Sequence, residues 1–402
     1  MEPIRIEYVI DHLNVGGAQR HLVELFSELD RSRFRPQVSV GKPGGALVPV
    51  IERMDIPVRP IGIGESLAQP GTARRLVAMA RRLRREKVKI VHGYLYLGNI
   101  LGVLAGSFAG VPVRIASKRS LDRYPRRSQL HATRLANRFA HCILCNADAV
   151  RRFVLEVERP DPAKLVVIPN GIRLPLDSGT AAGSAKMQGH YRYLVGTIGR
   201  LTWKKAHGDF LEAARAVRQV RADVDFVVVG DGPLRKQAEA RAAELGIGEH
   251  VHFLGEIGNA RTLLERFDVF VMSSIIEGMP NVLLEALAAE RPVVVTRAGG
   301  MPEIVSHEHT GLLVPPGNPG ALAAGILRLL AAPEEARRFA LAGRALVEAQ
   351  FSASAMRARF IELYERLVAG RGSRRAPGTR SVVDHRHAAD TPPGRREVAA
   401  GR

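Results

Sequence analysis

Glu277 and Glu285, eight positions apart in SSIIEGMPNVLLEALAAERP (273–292), are the carboxylates best placed to do chemistry in this chain. The apolar run at 268–272 reads as a strand. Residues 282–289 read as a helix, with Pro280 suited to its first turn and Asn281 to its cap. Glu277 then sits where a strand ends, and Glu285 lies just inside the next helix. In an open parallel sheet, ligands bind outside that strand edge. Helix amides beside residues 277–281 can hold an anion or sugar hydroxyls, and two carboxylates can accept hydrogen bonds from a polyol. The competing reading makes Glu277 a loop acid and Glu285 part of a solvated helical face.

The elements that must position these residues follow one pattern. Strand-like runs at 5–10, 37–40, 89–92, 113–116, 141–145 and 165–168 alternate with helical patterns at 18–29, 72–86, 98–108 and 147–157. A second series of strands follows near 194–198, 225–229, 252–254, 269–272, 293–296 and 312–314. Alternating strands and helices imply parallel sheets, and two such series imply two doubly wound α/β domains. The expected organisation is a first domain over 1–173, a linker at 174–190, a second domain over 191–353 and a closing helix at 354–368. From 369 to 402 the chain is basic and lacks a buriable pattern, so a disordered tail is expected.

Composition narrows the class. The 402 residues are 46% hydrophobic, ample for two cores, yet only 5% aromatic. No apolar run reaches the length of a membrane span. Acidic residues interrupt the N-terminal stretch where a signal peptide needs a clean apolar segment; a cytoplasmic protein is expected. The net charge of +19 is uneven: residues 1–185 hold 29 Lys/Arg against 16 Asp/Glu, and residues 186–370 hold 22 against 21. A neutral second half and the lack of any zinc-finger, RNA-binding or helix-turn-helix pattern argue against nucleic acid. The asymmetry fits a first domain that meets an anionic surface or acceptor. Cys142 and Cys145 lie three apart on a strand, on opposite faces, and read as structural thiols. Asp223-Val-Asp225 opens a strand at the edge opposite the ligand-binding one, so no metal site is expected.

Six motifs in order carry a family resemblance: Val15-Gly-Gly-Ala-Gln-Arg-His21, Ile168-Pro-Asn-Gly171, Arg200-Leu-Thr-Trp-Lys-Lys205, Phe226 to Leu234, Glu277-x7-Glu285 and Gly299-Gly-Met-Pro-Glu303. Together they resemble the retaining nucleotide-sugar glycosyltransferases of family 4, over about residues 7–368. The resemblance implies the GT-B fold, two Rossmann-like domains facing across a cleft, with the closing helix packed back on the first. It implies a nucleoside diphosphate sugar as donor, no cofactor, and no agreed protein nucleophile, so transfer on one face of the sugar is assisted by the leaving phosphate. By the same resemblance Arg200 and Lys205 stabilise the departing diphosphate, Glu285 binds the ribose diol, and Glu277 with the backbone of Gly278, Met279, Pro280 and Asn281 serves the sugar. Ala206 stands where the family has glycine, and the neighbouring Lys204 leaves the choice of lysine open. Gly16 and Gly17 form a cleft loop beside the donor, and Glu303 either lines the nucleotide site or charges a helix N-terminus. On the acceptor side, His92 and Arg119 are candidates, against a core histidine and a surface charge. The expected acceptor is a lipid-linked or polysaccharide intermediate at the cytoplasmic membrane face, where the basic first domain meets anionic lipid. Soluble small-molecule transfer, and a non-catalytic nucleotide-sugar-binding protein, are the alternatives.

Overall fold

The computed structural model describes residues 2–63, 67–121, 124, 126–174, 191–258 and 260–370. Most of the expected linker and the basic tail beyond 370 lie outside them. Seven strands form the first sheet: β1 (Ile4–Ile10), β2 (Phe34–Val40), β3 (Val58–Pro60), β4 (Ile90–Gly93), β5 (Val113–Lys118), β6 (Cys142–Cys145) and β7 (Leu165–Val167), in the order β3-β2-β1-β4-β5-β6-β7. Six form the second: β8 (Tyr193–Ile198), β9 (Val224–Val229), β10 (Val251–Gly255), β11 (Val269–Met272), β12 (Val293–Thr296) and β13 (Leu312–Val314), in the order β10-β9-β8-β11-β12-β13. Their registers are parallel throughout. The protein thus has two doubly wound α/β domains. Strand β3 escapes sequence reading because it is short and ends in proline; an edge strand tolerates that, since a ladder donor is missing only on the outer side.

Strand β4 is buried at every position and β11 likewise, as expected where helices cover both sheet faces. Chain order reverses between β1 and β4 in one sheet and between β8 and β11 in the other. These switch points open the crevices at the carboxyl ends of the strands. The residues following β1, β5, β8 and β11 therefore converge on one cleft.

The closing helix, Ala353–Ala369, buries Met356, Phe360, Leu363 and Tyr364 in the same apolar cluster as Ile6, Tyr8, Leu22 and Phe34 of the first domain. Ile172 bonds on both sides of this crossing: its amide donates to the Phe351 carbonyl at 2.9 Å, and its carbonyl accepts from Ala353 at 2.7 Å. Tyr364 Oη lies 3.0 Å from Tyr8 Oη and 2.9 Å from His92 Nδ1. Both cysteines are buried and unpaired, and burial pushes the Cys142 thiol up to about 12. Asp223 pairs with Arg221, and Asp225 holds His250 and His252, all at the amino edge of β9 and away from the cleft. Among the described residues no helix is long and apolar enough to cross a membrane, and no cluster of three or more His, Cys, Asp or Glu could hold a metal ion.

Candidate active site

A cavity of about 1360 Å³ runs between the two domains, walled on one side by the loops after β1 and β5 and on the other by those after β8, β9 and β11. Thirteen residues are expected at the site, and eleven of them line this cavity; His92 and Glu303 do not.

Lys205 and Glu277 form an ion pair across the β8 and β11 loops, with only 23% and 12% of their side chains exposed. Ser274 Oγ donates to the same carboxylate oxygen at 2.8 Å. Lys204 instead lies over the Trp203 ring, 5.9 Å from its centroid, so Lys205 is the lysine aimed into the cleft. Between them and the next helix, Ala206 adopts φ 46°, ψ 48°. That left-handed conformation costs a non-glycine residue about 1–2 kcal/mol, and explains why a glycine is expected here. Arg200 is exposed at the cavity wall and has no side-chain partner among the described residues.

The loop carrying Glu277 is braced from below. Gly299 sits at φ +54°, where a Cβ would collide with the Glu277 carbonyl, and the Gly300 amide donates to the Gly278 carbonyl at 3.1 Å. Only glycine permits this approach. The GGMPE motif therefore supports the loop rather than facing the ligand. Its Glu303 accepts from the Asp148 and Ala149 amides, both at 2.7 Å, and so caps the first-domain helix Asp148–Val157. A carboxylate at a helix N-terminus satisfies orphan amides and the helix dipole. Of the two readings open for Glu303, its geometry is that of the helix charge.

Asn281 also differs from expectation. Pro280 is the N-cap residue, and Asn281 is the first residue of the helix Asn281–Ala288, with no capping bond from its side chain. Its Oδ1 accepts instead from Asn170 Nδ2 at 2.6 Å. Asn170, in the IPNG segment, also donates to the Met279 carbonyl at 2.9 Å and accepts from Arg119 Nη2 at 2.5 Å. One first-domain asparagine thus ties the loop after β11 to Arg119. The sequence quotes its motif but gives no sign of this role. Asp231, in the Phe226 to Leu234 motif, accepts from the adjacent Gly232 amide at 2.6 Å and pairs with Arg235.

Arg119 lines the cleft beside Tyr94 and has no carboxylate partner among the described residues. Burial pushes its guanidinium down to about 10, the Tyr94 hydroxyl opposing weakly. His92 is fully buried, with Nδ1 on Tyr364 Oη and Nε2 2.7 Å from Ser117 Oγ. Burial, then the nearby Arg119 charge, pushes it down to about 3. It is a neutral core histidine that anchors the closing helix, not an acceptor-side group.

Gly16 is the extended N-cap of the helix Gly17–Glu28, and a Cβ on Gly17 would meet open space. Two cleft residues have no sequence signal strong enough to find them. Asp11, at the end of β1, accepts from the Leu97 and Gly98 amides at 3.1 and 2.6 Å and pins a helix start against the cavity. Burial raises its carboxyl above the usual range, against those bonds. Glu158, buried beside Lys118 at 2.8 Å, floors the first-domain side with Tyr124 Oη donating to it at 2.6 Å. Glu285 is buried, and its Oε1 accepts from Arg261 Nε at 2.9 Å.

Residues 16–171 match the family described as "Glycosyl transferase 4-like domain", and residues 192–332 match "Glycosyl transferases group 1". The D-inositol 3-phosphate glycosyltransferase of Kineococcus radiotolerans is 29% identical over 414 residues, 91% of this chain and 94% of that protein. The Escherichia coli UDP-Gal:α-D-GlcNAc-diphosphoundecaprenol α-1,3-galactosyltransferase is 24% identical over 321 residues, covering 75% and 81%. Among solved structures, Anabaena Alr3699/HepE in complex with UDP superposes with a TM-score of 0.78 at 22% identity, over 90% of this chain and all of that one.

Proposed function

The chain belongs to the group 1, 4-like glycosyl transferases with the GT-B fold, and from that premise we propose that it moves a hexosyl residue, with retention, from a nucleoside diphosphate sugar to a lipid-linked or polysaccharide acceptor. The observation that carries this reading is the convergence of Arg200, Lys205 and Glu277 at the β8/β11 switch point, with Glu285 eight residues beyond Glu277 in the same cavity.

The second domain binds the donor. Glu285 accepts hydrogen bonds from the ribose hydroxyls, and the diphosphate lies against Arg200 and Lys205. An anionic phosphate competes with Glu277 for Lys205, so donor arrival loosens that ion pair and frees the Glu277 carboxylate for sugar hydroxyls. As the bond from the anomeric carbon to the phosphate oxygen breaks, the two cations stabilise the charge that collects there. The acceptor hydroxyl attacks from the same face, and its proton passes to the departing phosphate oxygen. Glu277 is a donor-site acid in this scheme and forms no bond to the sugar. Two fixed cations supply the charge that a divalent ion supplies in other enzymes, which supports a metal-independent step. Gly16 and Gly17 border the donor from the first domain, and Arg119 faces the acceptor.

Calorimetry with UDP-, GDP- and ADP-sugars tests the donor, aided by quenching of Trp203, the sole tryptophan, two residues from Lys205. One nucleotide class binding saturably and raising the melting temperature is the expected result. Failure of every nucleotide sugar to bind removes the reading. NMR of the product reports whether the anomeric configuration is kept.

The surface of the first domain supports a location on the cytoplasmic membrane face. Arg74, Arg81 and Arg85 are exposed on the helix Thr72–Arg85, beside the exposed side chains of Val77 and Phe108. Leu135 and Phe139 are exposed on the helix Arg127–Phe139, which packs against Leu95–Ala109, the helix that also neighbours the basic one. Three other basic residues are committed elsewhere. Arg82 pairs with Glu7 and Glu86, Arg84 bonds the Ala109 and Phe108 carbonyls, and Lys118 is buried on Glu158. Arg74→Glu, Arg81→Glu and Arg85→Glu together should weaken sedimentation with anionic vesicles by roughly an order of magnitude or more at low salt, leaving donor binding intact. Equal partitioning of the parent protein to neutral and anionic vesicles favours a soluble acceptor instead.

A further inference from the structure

We propose that Arg261 is a positioning residue that orients Glu285 for the ribose and, by bridging to Glu24, makes the first domain part of the nucleotide site. The proposal rests on Glu285 binding the ribose diol.

One guanidinium stands between two carboxylates from different domains. Arg261 Nε donates to Glu285 Oε1 at 2.9 Å, and its Nη2 donates to Glu24 Oε1 at 3.3 Å. All three side chains are largely withdrawn from solvent, Arg261 at 17%, Glu24 at 13% and Glu285 at 6% exposed. Burial works against the charge on Arg261, and the two carboxylates, Glu285 before Glu24, outweigh it. Glu24 belongs to the helix Gly17–Glu28, the same helix whose N-terminus borders the cavity. A few residues away, Arg20 Nη2 donates to the Gly258 carbonyl at 3.4 Å, so the segment before Arg261 and this helix face each other.

The geometry divides the work of one carboxylate. Arg261 occupies Oε1 of Glu285, and among the described residues Oε2 accepts no protein hydrogen bond. That oxygen is left for a ligand. Arginine suits the task because its planar fork fixes the direction of each bond. A carboxylate held ionised and oriented on one oxygen loses less freedom when the other accepts a hydroxyl. Without Arg261, Glu24 and Glu285 become two buried like charges facing each other, an arrangement that disfavours ionisation of both. Ribose binding and the approach of the first domain then depend on the same side chain. The first-domain leg is incomplete on its own: among the described residues Glu24 Oε2 is buried without a hydrogen bond, with Arg173 Nε 3.9 Å away. Glu24 is thus held in place mainly by Arg261.

The test uses the full chain and the nucleoside diphosphate that the donor panel identifies, together with its 2′,3′-dideoxy analogue. Arg261→Met should weaken the ribonucleotide roughly five- to tenfold and leave affinity for the dideoxy analogue unchanged, because the analogue offers Glu285 no hydroxyl. Glu24→Gln keeps the Arg261–Glu285 bond, so it should cost the ribonucleotide a smaller factor. Equal losses for both nucleotides mean that Arg261 only supports the local fold, and they overturn the proposal. If Glu285→Ala weakens the ribonucleotide while Arg261→Met does not, the bridge fails and the ribose reading stands. If Glu285→Ala itself leaves nucleotide affinity unchanged, the underlying reading fails and the bridge falls with it. Circular dichroism and melting of each variant separate lost folding from lost binding. Should Arg261→Met not fold, Arg261→Lys read against the same two nucleotides decides the matter, since lysine keeps the charge without the two-way fork.

Discussion

Alanine at position 205 is expected to lower kcat by roughly two to three orders of magnitude, the scale of losing one preorganised electrostatic donor. The KM for donor should rise less, because Lys205 matters most when charge collects on the departing phosphate. Lys205 pairs with Glu277, whose side chain is 12% exposed, so its removal also strands a half-buried carboxylate. Arg200→Ala separates the two effects. Arg200 is exposed and has no side-chain partner among the described residues, so its loss should spare the melting temperature and still slow turnover. Single-turnover rates with donor at saturation are the measurement. A Lys205→Ala enzyme within tenfold of the parent rate would remove the electrostatic role. A chemical step abolished by chelator and restored by added Mn²⁺ or Mg²⁺ would instead place the burden on a metal.

Glu285→Ala should weaken both the donor and the free nucleoside diphosphate by about ten- to a hundredfold, the worth of hydrogen bonds to a charged acceptor. Glu277→Ala should leave the free nucleotide nearly unaffected and act on turnover and on the extra affinity that the sugar brings. The division follows from position. Glu285 lies inside the helix Asn281–Ala288 and is anchored by Arg261, while Glu277 sits in the preceding loop against Lys205 and Ser274. Calorimetry of each variant with the nucleotide and with the nucleotide sugar resolves the two. Equal losses on free nucleotide would contradict separate ribose and sugar ends.

Much of this arrangement is local in origin, and the sequence alone determined it. Apolar runs such as 226–229 and 269–272 can only be buried strands, and their alternation with amphipathic helices leaves parallel, doubly wound sheets as the solution. Loops that follow such strands are ligand-facing by topology, so Arg200, Lys205, Glu277 and Glu285 could be placed at one edge before any coordinates. The left-handed position at Ala206 is different, because alanine leaves no mark of that conformation and only the structure reveals it.

Tertiary structure decided the partners of the polar groups. Glu303 has the type and loop position of a nucleotide ligand, yet it caps a helix that begins 155 residues earlier. His92 stands near the end of a strand as a cleft residue would, but Tyr364, 272 residues later, takes its Nδ1 and holds it in the core. Asn281 looks like a helix cap, and Asn170 draws its side chain across the domain boundary instead. The basic run of the first domain reads as one surface, whereas Arg82, Arg84 and Lys118 are each satisfied by acids or carbonyls brought up by folding. The physical reason is the same in each case. Sequence patterning reports whether a side chain can be buried, because burial follows from apolar periodicity within a few residues. A buried polar atom must also find a hydrogen-bond partner, and which one it finds depends on chain segments that only the packed fold brings within 3 Å.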